Sequence, residues 1–259
     1  MDNLIKWFDS YVAGFYGDDE FINTNIELKE KHSKTVCEEM EWLAVRLGLS
    51  DERKRIATAI ALLHDVGRFR QFKEYRTYRD SSSVNHSQLG VDVICQENVL
   101  AGIDKKERAI IETAVRYHGE KELPVGLDDE TLLYCKLIRD ADKIDIYRVV
   151  IEYYEQYLVN PGEFKLELEV PDEPWYTKEI LEKLLAGERI DYKVLNTFND
   201  VKLLMLSWVY DVNFAATLER IKEKGFLEKV VDFLPADDDI ERVRKKVLGY
   251  VDSRIDKEL

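Results

Sequence analysis

Along most of the chain, apolar residues recur at the three- and four-residue spacing of an amphipathic helix. The pattern predicts helices over 3–16, 23–47, 51–64, 85–98, 104–118, 128–158, 177–186, 199–225, 226–234 and 237–259. Gly48 closes the second of these, and Ser50 stands where an N-cap of the third belongs. Asp104 and Glu107 have capping-box spacing at the head of the fifth. The stretch 67–84 is rich in Arg, Tyr and Ser and lacks this periodicity, which predicts an ordered loop. In 161–174 the period changes. Phe164, Leu166, Leu168 and Val170 alternate with Lys165, Glu167 and Glu169, which predicts one arm of a short β-hairpin near 163–171. The expected fold class is therefore all-α. A helical core over 1–160 is followed by a mainly helical extension over 161–259 packed on it, with the gap between Leu158 and Asn199 marking the boundary.

Composition narrows the partners. The chain has 259 residues, 45% hydrophobic, with only five prolines and twelve glycines, enough to bury a sizeable core. Its formal net charge of −14 repels nucleic-acid backbones and anionic membranes, so neither is an expected bulk partner. A homodimer is left open. Cys37, Cys95 and Cys135 are odd in number, widely spaced and without a CxxC pair, which argues against a disulfide framework and fits a reducing cytoplasm. The most apolar run, 203–210, is too short to span a bilayer, and residues 1–6 have no leader-like pattern.

The chemistry lies with four histidines, His32, His64, His86 and His118, each in or at the end of a separate predicted helix. His64 follows Ile56, Ala57, Ile60 and Ala61 at offsets of eight, seven, four and three, and His118 follows Ile110, Ile111, Ala114 and Val115 at the same offsets. Both imidazoles thus continue an apolar face. His32 shares a face with Val36 and Leu43, and Asp142 with Cys135, Ile138, Ile146 and Val149. A buried carboxylate needs a cationic partner, and so does Asp65 beside His64. One inward histidine is usually a hydrogen-bonded core residue, and Lys143 or Arg139 is available to pair with Asp142. Metal binding accounts for all of them jointly, since neutral imidazole and carboxylate are the ligands that zinc, iron, manganese and similar ions take.

His32, the doublet His64-Asp65, and Asp142 within Asp-Ala-Asp-Lys resemble the H…HD…D signature of the HD superfamily. The fragments from Leu62 to Arg68 and from Arg139 to Asp145 carry the match, which covers about Ile22 to Tyr154, just over half the chain. The resemblance implies an HD-domain helical bundle and a metal-dependent phosphohydrolase, with His32, His64, Asp65 and Asp142 as ligands of a first ion. Asp140, two residues before Asp142, is the weaker choice. His86 in Asn-His-Ser-Gln-Leu-Gly and His118 in Arg-Tyr-His-Gly resemble the extra pair of the binuclear branch, in which the doublet aspartate bridges two ions. The implied cofactor is one or two divalent transition-metal ions (Fe, Mn, Zn, Ni or Co), activating water for attack on phosphorus. In the one-ion alternative, His86 and His118 orient groups or bind phosphate beside it.

Phosphoryl transfer requires positioning and positive charge. Between Gly67 and Asp80, five basic residues (Arg68, Arg70, Lys73, Arg76, Arg79) face two acidic ones, with Phe69, Phe72, Tyr75 and Tyr78 interleaved. A solvated loop over the core is the plain interpretation. The functional one has Arg68, Arg76 and Lys143 contacting a small phosphorylated, nucleotide-like substrate, with Asp65, Arg68 and Lys143 as the catalytic residues. Two other functions fit the same ligand pattern: an HD-type diiron oxygenase, and a nucleotide-sensing module without turnover.

Overall fold

The computed structural model describes residues 1–160 and 170–258, and these form two compact units, Met1–Asp145 and Ile146–Leu259. The described residues are all-α, with no strand among them. The β-hairpin expected near 163–171 falls almost wholly outside the described residues.

The first unit contains α1 (Asp2–Ala13), α2 (Glu20–Arg46), α3 (Asp51–Leu63), α4 (Val66–Tyr75), α5 (His86–Gln96), α6 (Lys105–Tyr117) and the first half of α7 (Asp129–Val159). Local chemistry starts four of these helices, α3, α5 and α6 close to where the sequence places them and α2 three residues earlier, at Glu20. The side chains of Asp19, Ser50, Asn85 and Asp104 each accept a hydrogen bond from a backbone N–H of the first turn of α2, α3, α5 and α6. Gly48, at φ +68°, takes the left-handed conformation that turns the chain from α2 into α3.

Two expectations are corrected. The stretch 67–84 is not a loop throughout, because α4 occupies Val66–Tyr75. Val66, Phe69 and Phe72 are fully buried at helical spacing, but Arg68 and Arg70 between them, and Lys73 and Glu74 directly after, hide the periodicity. Arg76, at φ 56°, ends α4, and a 3-10 turn over Asp80–Ser82 precedes α5. The helix expected over 199–225 is also interrupted. In the second unit α8 (Lys178–Ala186) is followed by α9 (Phe198–Ser207), which ends in a 3-10 turn, Trp208–Asp211, and the chain is extended at Val212 before α10 (Ala215–Glu223). Asp211 and Asn213, residues that favour turns, flank the break. α11 (Phe226–Asp232) and α12 (Asp238–Glu258) complete the chain.

Helix α2 packs on α3 and α4, α5 on α4 and α6, and α3 on α6. Ile26, Met40, Leu43, Ile60, Leu63, Phe69, Phe72 and Ile94 are fully buried in this unit. Each such side chain contributes roughly 1.5–3 kcal/mol through removal of apolar surface from water. The α4–α5 contact is very close. A Cβ at Gly67 would stand 2.4 Å from the carbonyl oxygen of His86 and 2.5 Å from the backbone nitrogen of Gly90. Glycine after the doublet therefore lets α5, and His86 at its start, approach α4.

In the second unit α9 is buried along most of its length. Its N-terminal Asp200 carboxylate accepts from the backbone N–H and hydroxyl of Thr177 and from the backbone N–H groups of Asn196 and Thr197. The ring of Tyr147 stacks on Phe226 and meets Trp208 edge-on, and its hydroxyl donates to the carbonyl of Met205 at 2.7 Å. No helix among the described residues is long and apolar enough to cross a membrane.

Candidate metal centre

Two helices and the ends of two others deliver the four histidines to one place in the first unit. His32 lies within α2, His64 just beyond the end of α3, His86 at the start of α5 and His118 just beyond the end of α6. All four are buried, as is Asp65. Asp142, on α7, has a side chain 16% exposed.

Each histidine is held by its Nδ1. That nitrogen of His64 lies 2.7 Å from the carbonyl oxygen of Ala61, and that of His118 lies 2.7 Å from the carbonyl oxygen of Val115. Those of His32 and His86 lie 2.7 Å from Oδ2 of Asp145 and 2.6 Å from Oδ2 of Asp80. Carbonyl and carboxylate oxygens only accept, so each Nδ1 carries the proton and each Nε2 presents a lone pair in the neutral ring. Anchoring of this kind orients metal-binding histidines.

The four Nε2 atoms converge in two pairs. His32 and His64 face each other at 3.3 Å, and His86 and His118 at 3.1 Å. Two lone pairs at that distance repel unless a cation lies between them. Two nitrogens bound at about 2.0–2.1 Å to one tetrahedral ion stand roughly 3.3 Å apart, so the spacing fits a shared metal. The carboxylates complete the arrangement. Oδ1 of Asp142 lies 3.2 Å from His32 Nε2 and 3.8 Å from His64 Nε2. Asp65 divides its oxygens: Oδ2 lies 3.5 Å from His32 Nε2 and 3.7 Å from His64 Nε2, while Oδ1 lies 3.6 Å from His86 Nε2 and 3.5 Å from His118 Nε2. His32, His64 and Asp142 form one group with the ligand-atom spacing of a metal site, and His64, Asp65 and His118 form another.

The electrostatics match. Burial pushes His64 and His86 down to about 4, so both rings are neutral at pH 7, as ligation requires. Burial and Lys29 oppose protonation of His32, but the carboxylates of Asp142 and Asp145 outweigh them and raise its pKa. Asp65 and Asp142 are held well below the usual carboxylate range despite their burial. Lys29 and His64 lower Asp65, and His32 and His64 lower Asp142.

The structure thus brings together His32, His64, Asp65, His86, His118 and Asp142. Arg68 adjoins them, with Nε 3.5 Å from Oδ1 of Asp65, while its Nη1 donates to Gln71, to the carbonyl of Tyr78 and to Asp80. Lys143 follows Asp142 on α7 and is half-buried. Arg76 lies elsewhere: its side chain pairs with Asp19 at 2.6 Å and covers the ring of Phe21. Three participants escape the sequence reasoning. Lys29 reaches Oδ2 of Asp65 at 2.8 Å, one helical turn before His32. Asp145 shares a face of α7 with Asp142 at a spacing of three, a signal legible in the sequence. Asp80 lies six residues before His86 and is joined to it only by the turn between α4 and α5.

Residues 30–147 match the family model described as the HD domain, and all six clustered histidines and aspartates lie inside that span. This stretch is an HD domain. HD domains belong to a superfamily of metal-dependent hydrolases, and the cluster in this one is compatible with a divalent metal. No curated protein and no solved structure matches the chain.

Proposed function

We propose that the chain is a metal-dependent phosphohydrolase, a phosphomonoesterase or phosphodiesterase acting on a small nucleotide-like ester, with two divalent transition-metal ions in the HD domain. The observation that carries this reading is the division of the Asp65 carboxylate, one oxygen turned to the His32–His64 pair and the other to the His86–His118 pair. His32, His64, Asp142 and Oδ2 of Asp65 would hold one ion, and His86, His118 and Oδ1 of Asp65 the other. When bound, the ions supply Lewis acidity and make water acidic enough to attack phosphorus at neutral pH.

The chain's own residues set the conditions for that reaction. The four Nδ1 anchors keep the Nε2 lone pairs aimed inward, so ligand geometry is fixed before substrate arrives. Lys29 and Arg68 place positive charge on either side of Asp65, where an anionic ester must approach. Lys29, with a side chain 19% exposed, retains access to solvent and hence to a substrate oxygen.

The test is a turnover screen of the full chain loaded separately with Mn²⁺, Co²⁺, Ni²⁺ and Fe²⁺. Nucleoside mono- and triphosphates, cyclic nucleotides and sugar phosphates are offered, and ester hydrolysis and O₂ uptake are followed together. Metal-dependent ester hydrolysis supports the proposal. O₂ uptake without hydrolysis assigns the diiron oxygenase reading instead, and turnover of nothing with metal bound contradicts both.

A further inference from the structure

We infer that Asp80 is a positioning residue for the second ion, holding the His86 ring in register and tying it to Arg68. The inference rests on the two-ion reading above. Asp80 lies outside both fragments that carry the family signature. Its Oδ2 accepts from Nδ1 of His86 at 2.6 Å and from the backbone N–H of His86 at 3.4 Å. Its Oδ1 accepts from Nη1 of Arg68 at 2.9 Å and from Nε2 of Gln71 at 3.0 Å. One carboxylate therefore fixes a candidate ligand and a candidate substrate-binding arginine at once.

The turn that carries Asp80 is itself held down. Gln71, fully buried on α4, turns the same Nε2 to Oγ of Ser83 at 2.8 Å and to the carbonyl oxygen of Val84 at 2.9 Å. Nη1 of Arg68 adds a bond to the carbonyl of Tyr78. Asp145 plays the corresponding part for His32, but from within a helix that also bears Asp142. The His86 anchor comes from the connection between α4 and α5, so the geometry of the second site depends on that connection staying in place. A carboxylate on Nδ1–H fixes the tautomer and strengthens Nε2 as a donor. That Nε2 faces His118 Nε2 at 3.1 Å and Oδ1 of Asp65 at 3.6 Å.

The experiment is a calorimetric titration of the metal-stripped full chain with Mn²⁺, with His118→Ala identifying the step that belongs to the second ion. Asp80→Asn and Asp80→Ser are expected to weaken that step roughly 10–100-fold and to leave the other unchanged, the unaffected step also reporting that the variant is folded. Equal weakening of both steps, or no change in either, overturns the inference. So does an equal effect from Arg68→Met, because Asp80 would then act through the arginine and not on His86. A wild-type chain with one step only contradicts the two-ion reading and, with it, the role of Asp80. Two intact wild-type steps with unaltered Asp80 variants contradict the role of Asp80 alone.

Discussion

Nζ of Lys29 lies 2.8 Å from Oδ2 of Asp65, the oxygen turned toward His32 and His64. The carboxylate is buried and shares its surroundings with Asp142, so the lysine supplies the nearest permanent positive charge. Lys29→Met leaves that charge without its closest partner. The metal-free chain is expected to lose on the order of 3 kcal/mol in urea unfolding, the cost of breaking a largely buried pair. Mn²⁺ is expected to restore much of the loss by neutralising the same oxygen. Unchanged stability in the metal-free variant would show that Asp65 does not depend on Lys29.

The depressed histidines give the metal-free chain a characteristic acid response. Folded His64 and His86 take up protons only near pH 4, whereas in the unfolded chain they do so near the ordinary value of 6.5. Between those values the unfolded state binds more protons, so these two residues make stability fall as pH drops from about 6.5 to about 4. His32, raised by its carboxylates, works in the opposite sense. Asp80, held at about 2, adds a loss only below the ordinary carboxylate value of 3.8. Thermal melts of metal-free wild type and His86→Ala across this window isolate one contribution. The variant is expected to have the shallower slope, and parallel curves would show that His86 is not held neutral by burial.

Gly67 offers a purely steric test. A methyl group there meets backbone atoms of α5 at 2.4 and 2.5 Å, which no side-chain rotation relieves. Gly67→Ala is expected to cost roughly 1–3 kcal/mol and to weaken binding at the second site, because His86 moves with the start of α5. Full stability with intact metal uptake would mean that α4 and α5 tolerate a wider spacing than the site requires.

Arg68 and Arg76 separate a residue beside the cluster from one paired elsewhere. Arg68→Met removes positive charge next to Asp65 and is expected to raise KM about tenfold while metal content stays intact. Arg76→Ala releases Asp19 and Phe21 at the surface and is expected to change KM far less. Equal effects from both would place the substrate away from Asp65. Steady-state kinetics with metal analysis of the same samples decides this.

The parts of the site that follow helical periodicity were legible in the sequence. His64 and His118 continue apolar stripes, and each occupies the first position beyond its helix, where the ring bonds a carbonyl three residues earlier. α4 was not legible, because basic residues interrupt its buried Val66, Phe69 and Phe72. Asp145 is available from its spacing of three to Asp142, but nothing in the sequence joins that face of α7 to His32 on α2. Asp80 and Lys29 carry no local signal. One reaches His86 across a turn and the other reaches Asp65 from a different helix, and only tertiary packing joins them.

The most direct test of the account is anomalous diffraction from crystals of the chain loaded with Co²⁺. It predicts two peaks flanking the Asp65 carboxylate, one against His32, His64 and Asp142 and the other against His86 and His118. A single peak, or peaks that leave either histidine pair without an ion, would contradict it.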